Sequence, residues 1–398
     1  MSKIEAMPDE KLRAWWSHKQ GLDGSLAGQS AAEVLLRAGW ARSVAGAGPY
    51  LTFFSRAGLR REQVDAALAK VEIHELPSAR GCTYILPASA YALGLKVGQS
   101  FREAEMKTAR KLGVTDKEID RLRDALSQAL ADGPLDPEAL KAAVGGAARS
   151  LGPEGVKKGI ATTMPVALGL MQTAGEIRRI PINGRLDQQR YKYALWKPNP
   201  LAKWRLSPVE SYVELAREYF RWIGCATAAE FQWFSGLGVS AARAALAPLQ
   251  LTSLPGGFLM PPEDRDAFEK FKAPKHPRYA LLGSLDGINQ LRRDFASLLA
   301  PEDIEHDFVR GARGRLLQDL PHHAIFDRGR LIGLWEYDTT TGSIAWTAFV
   351  KADPALRDAI AKTEAFIRED LGDARSFSLD SPKSRIPAIE KLRKAATA

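Results

Sequence analysis

Apolar positions along the first 250 residues recur with a helical period, in short segments separated by polar turns. In TDKEIDRLRDALSQALADG, Ile119, Leu122, Leu126 and Leu130 fall on one face, and Thr115 and Glu118 stand where a capping box requires them. The same box opens SPVESYVELAREYFRWIG through Ser207 and Glu210, with Pro208 at the first helical position, where a missing N–H costs nothing. Thr227 with Glu230 and Ser30 with Glu33 repeat it, and Asp136 followed by Pro137 opens DPEALKAAVG. Strand patterns are sparser and follow the helices. GCTYILPAS is a short β-rich run ended by Pro87. In GEIRRIPINGRLDQQRYKYAL, Ile177, Ile180 and Ile182 mark a strand, Asn183-Gly184 a turn, and Tyr191 the return strand. LTSLPGGFLMPPED predicts a smaller hairpin turning at Pro-Gly-Gly.

Helices followed by a hairpin is the order of a winged helix, and it occurs three times, near 10–95, 115–197 and 208–262. The polar, proline-punctuated stretch 263–278 reads as a linker. Beyond it, HHAIFDRGRLIGLWEYDTTTGSIAWTAFV predicts three strands and DPALRDAIAKTEAFIRED a helix. The expected class is therefore α+β and mainly helical, with tandem winged-helix modules and a small C-terminal β-rich domain. Its expected divisions are 1–100, 101–205 with a basic wing, 206–264, and a C-terminal α+β domain over 278–398.

Charge adds a partner. The chain of 398 residues carries a formal charge of +9, which favours polyanions. Residues 178–205 hold eight Lys or Arg against one Asp, interleaved with Tyr191, Tyr193, Trp196 and Trp204. In a winged helix the helix before the hairpin enters the major groove and the hairpin follows the backbone. TTMPVALGLMQTAGEIRR would then be the groove helix. Arg178, Arg179, Arg185, Arg190 and Lys192 would reach phosphates, and Asn183, Gln188 and Gln189 would read groove edges. Tyr191 and Tyr193 read as core, and Trp196 and Trp204 as staples to the next helix. A charged sheet edge guarding against aggregation is the plainer alternative.

Other chemistry finds little support. No phosphate-binding glycine loop, HExxH pair or GxSxG elbow occurs. Adjacent His322 and His323 point to opposite faces of a strand, so no metal site is expected. Ser43 has no His nearby, and Asp286 and Asp294 beside Arg292 and Arg293 read as surface ion pairs before catalytic groups. No cofactor is expected. Two cysteines, no apolar run long enough to span a bilayer and no signal core lead to the expectation of a cytoplasmic protein.

Three stretches carry a family resemblance. VELAREYFRWIGCATAAEFQWFSGLGVSAARAAL resembles a segment of a bacterial winged-helix family that includes the YcaQ- and AlkZ-type DNA glycosylases, enzymes that excise alkylated purines and unhook interstrand crosslinks. RGCTYILPA is similar to that family's strand through Arg80, Gly81, Pro87 and Ala88, and GRLIGLWEY to its C-terminal strand through Gly329, Arg330, Gly333 and Trp335. The resemblance implies double-stranded DNA as partner and hydrolysis of an N-glycosidic bond. It also implies a Gln-x-Gln or Gln-x-Asp motif that positions the attacking water. Arg42, Ser43 and Val44 stand there instead, no Gln occurs between Gly39 and Arg61, and the family's strand His is replaced by Tyr84.

Neither a guanidinium nor Val serves as a general base. The expectation is thus a monomeric DNA-binding relative whose excision activity is in question, with Asp187 and Gln188 as the catalytic candidates. Its DNA would lie against Arg42, Arg56, Arg178, Arg179, Arg185, Arg190 and Lys192. Phe53-Phe54 reads as core or, alternatively, as a wedge for base flipping. A ligand-responsive winged-helix transcriptional regulator and a drug-sequestering resistance protein are the rivals.

Overall fold

A computed structural model describes residues 8–396 apart from Ala45, Gln189, Asp294, 312–314 and Ser378. About half of the described chain is helical, and its strands form several small antiparallel sheets. The helix starts follow the caps in the sequence. Ser207 Oγ accepts from the Glu210 amide while the Glu210 carboxylate accepts from the Ser207 amide, opening the Pro208–Ile223 helix. Thr227 and Glu230 do the same for Ala228–Ser235. Ser30, Thr115 and Asp136 cap Ala31–Ala38, Asp116–Ala129 and Pro137–Val144. Each such cap satisfies an amide that has no partner within its helix, worth about 1 kcal/mol.

One connectivity occurs three times. First, the Ala31–Ala38 helix leads into β1 (Ala41–Arg42), the helices Gly48–Ala57 and Arg61–Ala69, then β2 (Ile73–Pro77) and β3 (Thr83–Pro87). The strands pair in the order β1-β3-β2. Second, after the helices Asp116–Ala129, Pro137–Val144 and Thr163–Thr173 come β4 (Ile177–Pro181) and β5 (Tyr191–Leu195). Here Leu135 bridges Tyr193, at the place where β1 pairs in the first unit. Third, Pro208–Ile223 is followed by β6 (Ala226–Thr227), the helices Ala228–Ser235 and Val239–Leu246, then β7 (Thr252–Ser253) and β8 (Phe258–Met260), ordered β6-β8-β7.

A fourth sheet is built from β9 (Tyr279–Leu282), β10 (His323–Asp327), β11 (Arg330–Asp338) and β12 (Ser343–Ala348), in the order β12-β11-β10-β9. Three of its strands were legible as alternating runs; β9 was not. Nearly all of β11 is buried, because helices cover both faces: Gly48–Ala57 and Pro354–Phe366 on one side, Glu10–Lys19 and Pro382–Ala396 on the other. One apolar core therefore joins Val34, Tyr50 and Phe53 of the first unit to Ile325, Trp335, Leu356 and Phe366, far along the chain.

Three expectations change. The supposed linker contains the helix Pro262–Lys270, whose Phe268 meets the Trp15 ring edge-on, as does Phe271 just after it. The Thr163–Thr173 helix does not present a face to a groove: nine of its residues, from Thr163 to Thr173, are buried against the Tyr91–Lys111 helix and its own unit's core. Its run of apolar residues, broken by little that is polar, required that burial. The β4–β5 hairpin, finally, is no free wing. Its connection drops Leu186 into the first unit's core at 1% exposure, where its amide donates to Tyr50 Oη at 2.9 Å. Asn183-Gly184 begins this long connection rather than closing a two-residue turn.

Candidate functional site

β1, β2 and β3 bring one face of the first sheet to the bottom of a cavity of about 470 Å³, within the roughly 300–1,000 Å³ span of small-ligand pockets. Its walls include Arg42, Ser43, Val44, Glu75, Cys82 and Thr83 from the first unit. Arg179, Gln188 and Tyr191 come from the docked hairpin, and Phe377 and Leu379 from the segment before the last helix. Strand alternation explains the selection. Ala41 and Glu75 both register with Ile85, and Ser43 binds Thr83 through its amide, so Ser43 and Glu75 share a face. His74, Leu76 and Tyr84 point the other way.

Glu75 lies at the centre. Ser43 Oγ donates to its Oε2 at 3.2 Å, and Arg179 Nη1 stands 3.6 Å from Oε1. The Glu75 side chain is 22% exposed, and that opening faces the cavity. Burial pushes its pKa up from the usual carboxylate value, and the Arg179 charge, the Ser43 hydrogen bond and the Arg42 charge pull back only in part. Arg179 in turn lies 4.4 Å over the Tyr191 ring.

Arg42 extends from β1 along the cavity mouth, its Nη1 donating to the Thr83 carbonyl at 3.0 Å and its guanidinium 5.4 Å from the Tyr84 ring. Tyr84 thus supports Arg42 from beneath while its own ring stays in the core between Trp40 and Phe234. Burial raises its pKa to about 12. Beyond Arg42 a second cavity opens, with Arg80, Trp233, Asn289, Arg293 and Asp319 on its walls. Arg80 adopts a left-handed backbone, φ 58°, immediately before Gly81 at φ 65°. For a residue with a Cβ this costs on the order of 1 kcal/mol. The turn sets its guanidinium 3.6 Å over Trp233 of the third unit. Next to Gly81, the ring of Phe101 packs so closely on Gly236 that an added Cβ there would meet it at 2.7 Å.

The remaining expected contacts separate into two groups. Arg190 and Lys192 are exposed, and Arg178 is half-buried beside Tyr91 and His74, where burial lowers its pKa. Arg56 must be withdrawn from the DNA-contacting set: it is buried in a two-pronged pair with Asp286, at 2.8 and 2.7 Å. Asp286 is accordingly an internal ion pair, not a surface one; Asp294 lies outside the described residues. Arg185 pairs with Asp187 and donates to the Leu371 carbonyl, so its charge is spent locally. Asp187 is buried in that pair, which removes it as a free base, while Gln188 does reach the cavity. Gln189 lies outside the described residues. Phe53 is fully buried and Phe54 stacks on Phe366 at 4.0 Å, so neither serves as a wedge.

Trp204 donates to Ser211 of the next helix, the stapling role expected of it, whereas Trp196 packs back on His74 and Tyr91 of the first unit. Tyr193 is core, whereas Tyr191 faces the cavity. His322 pairs with Glu336 at 3.1 Å and His323 bonds the Ala374 carbonyl. Among the described residues no three His, Cys, Asp or Glu side chains gather as metal ligands. Nor is any described helix long and apolar enough to cross a membrane.

Sequence reasoning missed Glu75. Its only signal was a carboxylate beside His74 inside a short run of apolar residues, IHELP, and nothing local said which residues it would meet.

Residues 36–370 match the family model for AlkZ-like DNA glycosylases, and the chain belongs to that family. A solved structure, the DNA glycosylase AlkZ of Streptomyces sahachiroi, shares the fold with a TM-score of 0.67 at 19% identity, over 92% of this chain and 98% of that one. No curated protein sequence matches the chain. The family supports a DNA-repair, glycosylase-like function and does not favour the ligand-responsive regulator.

Proposed function

We propose that the chain is a base-excising DNA-binding protein made of three winged-helix units, which holds double-stranded DNA across the Arg42 cavity and draws one nucleotide into it. The observation that carries this is the convergence of Arg42, Arg80 and Arg179 on adjoining cavities, with Arg190 and Lys192 exposed on the hairpin that forms one wall. The strand orders β1-β3-β2 and β6-β8-β7 support the winged-helix assignment, since each closes a short first strand onto a hairpin. Three units in one chain supply what a regulator obtains by pairing, so the protein acts as a monomer. A cytoplasmic location goes with this reading.

Extruding a nucleotide needs something to hold the stack open. Phe377 and Leu379 stand at the cavity edge with 44% and 92% of their surfaces exposed, where apolar side chains can enter a base stack. They are free for the wedge role that buried Phe53 and Phe366-stacked Phe54 cannot fill.

Affinity for duplex DNA measured at two salt concentrations tests the reading. Binding should weaken steeply with salt, and Lys192→Ala should lower the slope of log K against log salt by about 1. Arg42→Glu should weaken binding further. Affinity indifferent to both salt and Arg42→Glu would remove the DNA assignment.

A further inference from the structure

We propose that Glu75 is the catalytic carboxylate of this cavity, activating water for attack on the extruded nucleotide, with Ser43 and Arg179 as its positioning residues. This rests on the DNA reading above and supplies what Arg42, Ser43 and Val44 lack, a group able to take a proton.

The geometry separates Glu75 from the buried carboxylates near the site. Asp187 is engaged on both oxygens by Arg185. Asp286 is closed off by Arg56, Thr52 and the Ile288 amide. Glu75 instead has one oxygen steadied by Ser43 and the other facing Arg179 at 3.6 Å, too long for a tight hydrogen bond and wide enough for water to compete. The opening of its side chain is onto the cavity, where a nucleotide would lie. Its raised pKa, caused by burial, makes it a stronger proton acceptor than an exposed carboxylate.

The step balances with water as the only co-reactant. Water oxygen bonds to the sugar C1′ as the C1′–N bond breaks and its electron pair leaves with the base. Glu75 takes the proton from the water and later returns it to solvent. A purine alkylated on a ring nitrogen already carries a positive charge and departs neutral. One proton-accepting group is then sufficient for the alkylated purines that the family resemblance implies. Arg179 stabilises the ionised form of Glu75 without closing it off.

The test uses the full chain with a duplex carrying a single N7-methylguanine, scored for abasic product under single-turnover conditions. Glu75→Gln should slow excision by about 10²–10⁴-fold, the usual contribution of a positioned general base, with duplex affinity unchanged. Glu75→Asp should restore part of the rate. In wild type the rate should rise with pH through a midpoint above the ordinary carboxylate range, and Ser43→Ala should move that midpoint upward, which a merely structural role would not do. Excision by Glu75→Gln within threefold of wild type would overturn the assignment. So would wild-type chain that binds the duplex yet yields no abasic product, an outcome that leaves the DNA reading standing. Failure to bind any duplex would instead sink the DNA reading itself.

Discussion

Two arginine–carboxylate pairs each tie the first unit to a more distant part of the chain, and they differ in the way that matters. Arg56 and Asp286 are sealed together at 1% and 0% side-chain exposure, with Gln20 and Thr52 completing the hydrogen bonds. Arg179 and Glu75 stand 3.6 Å apart at 27% and 22% exposure, on the wall of a cavity. In the first, both carboxylate oxygens and both terminal guanidinium nitrogens are engaged in the core, and the pair opens onto no cavity where it could act on a ligand. In the second, the match is incomplete and faces open space. A loose pair in a concavity is where chemistry is to be sought; a sealed one in the core is architecture.

The comparison can be broken most forcefully at the sealed pair. Arg56→Met should cost about 3–5 kcal/mol in urea unfolding, because it leaves the Asp286 carboxylate buried without its partner. Replacing both residues by apolar ones should recover much of that loss. Glu75→Gln should leave the unfolding midpoint nearly where it was. Equal losses at the two sites would erase the distinction.

A second test asks which face of β2 is chemical and which is structural. His74, next to Glu75, points into the core with neither ring nitrogen hydrogen-bonded. Burial, assisted by the charges of Arg178 and Arg179, lowers its pKa from 6.5 to about 3. The unfolded chain therefore takes up a proton near pH 6.5 that the folded chain refuses until about pH 3. The His74 contribution to stability should fall as pH drops through that window, by about 1.4 kcal/mol per unit, and be unaffected above it. His74→Phe should flatten this dependence between pH 7 and 5 without altering the pH–rate midpoint assigned to Glu75. A slope that survives the substitution would place the proton elsewhere.

The smallest expected effect sharpens the cavity side alone. Leu379→Ala should change stability by less than about 0.5 kcal/mol, since the side chain is almost wholly exposed. It should slow excision about tenfold, the scale of losing part of the help against a base-unstacking cost of a few kcal/mol. The fluorescence of 2-aminopurine placed beside the lesion, bright when unstacked, would report the extrusion directly. Unchanged fluorescence and rate would remove Leu379 from the mechanism.

The sequence by itself determined the local elements. Ser30, Thr115, Asp136, Ser207 and Thr227 start helices because a cap needs only a side chain and an amide two or three residues on. The β4–β5 and β7–β8 hairpins, the three-fold order of helices and hairpins, and the resemblance carried by Arg80-Gly81 and the 213–246 segment were legible for the same reason: each is written within a few dozen residues. Tertiary structure decided which charges are free. Arg56 meets a carboxylate 230 residues away, Leu186 meets Tyr50 across 136, and Ser43 meets Glu75 across 32. A guanidinium looks the same in sequence whether it ends against a carboxylate or a cavity, because desolvation and pairing depend on neighbours that only the folded chain brings together.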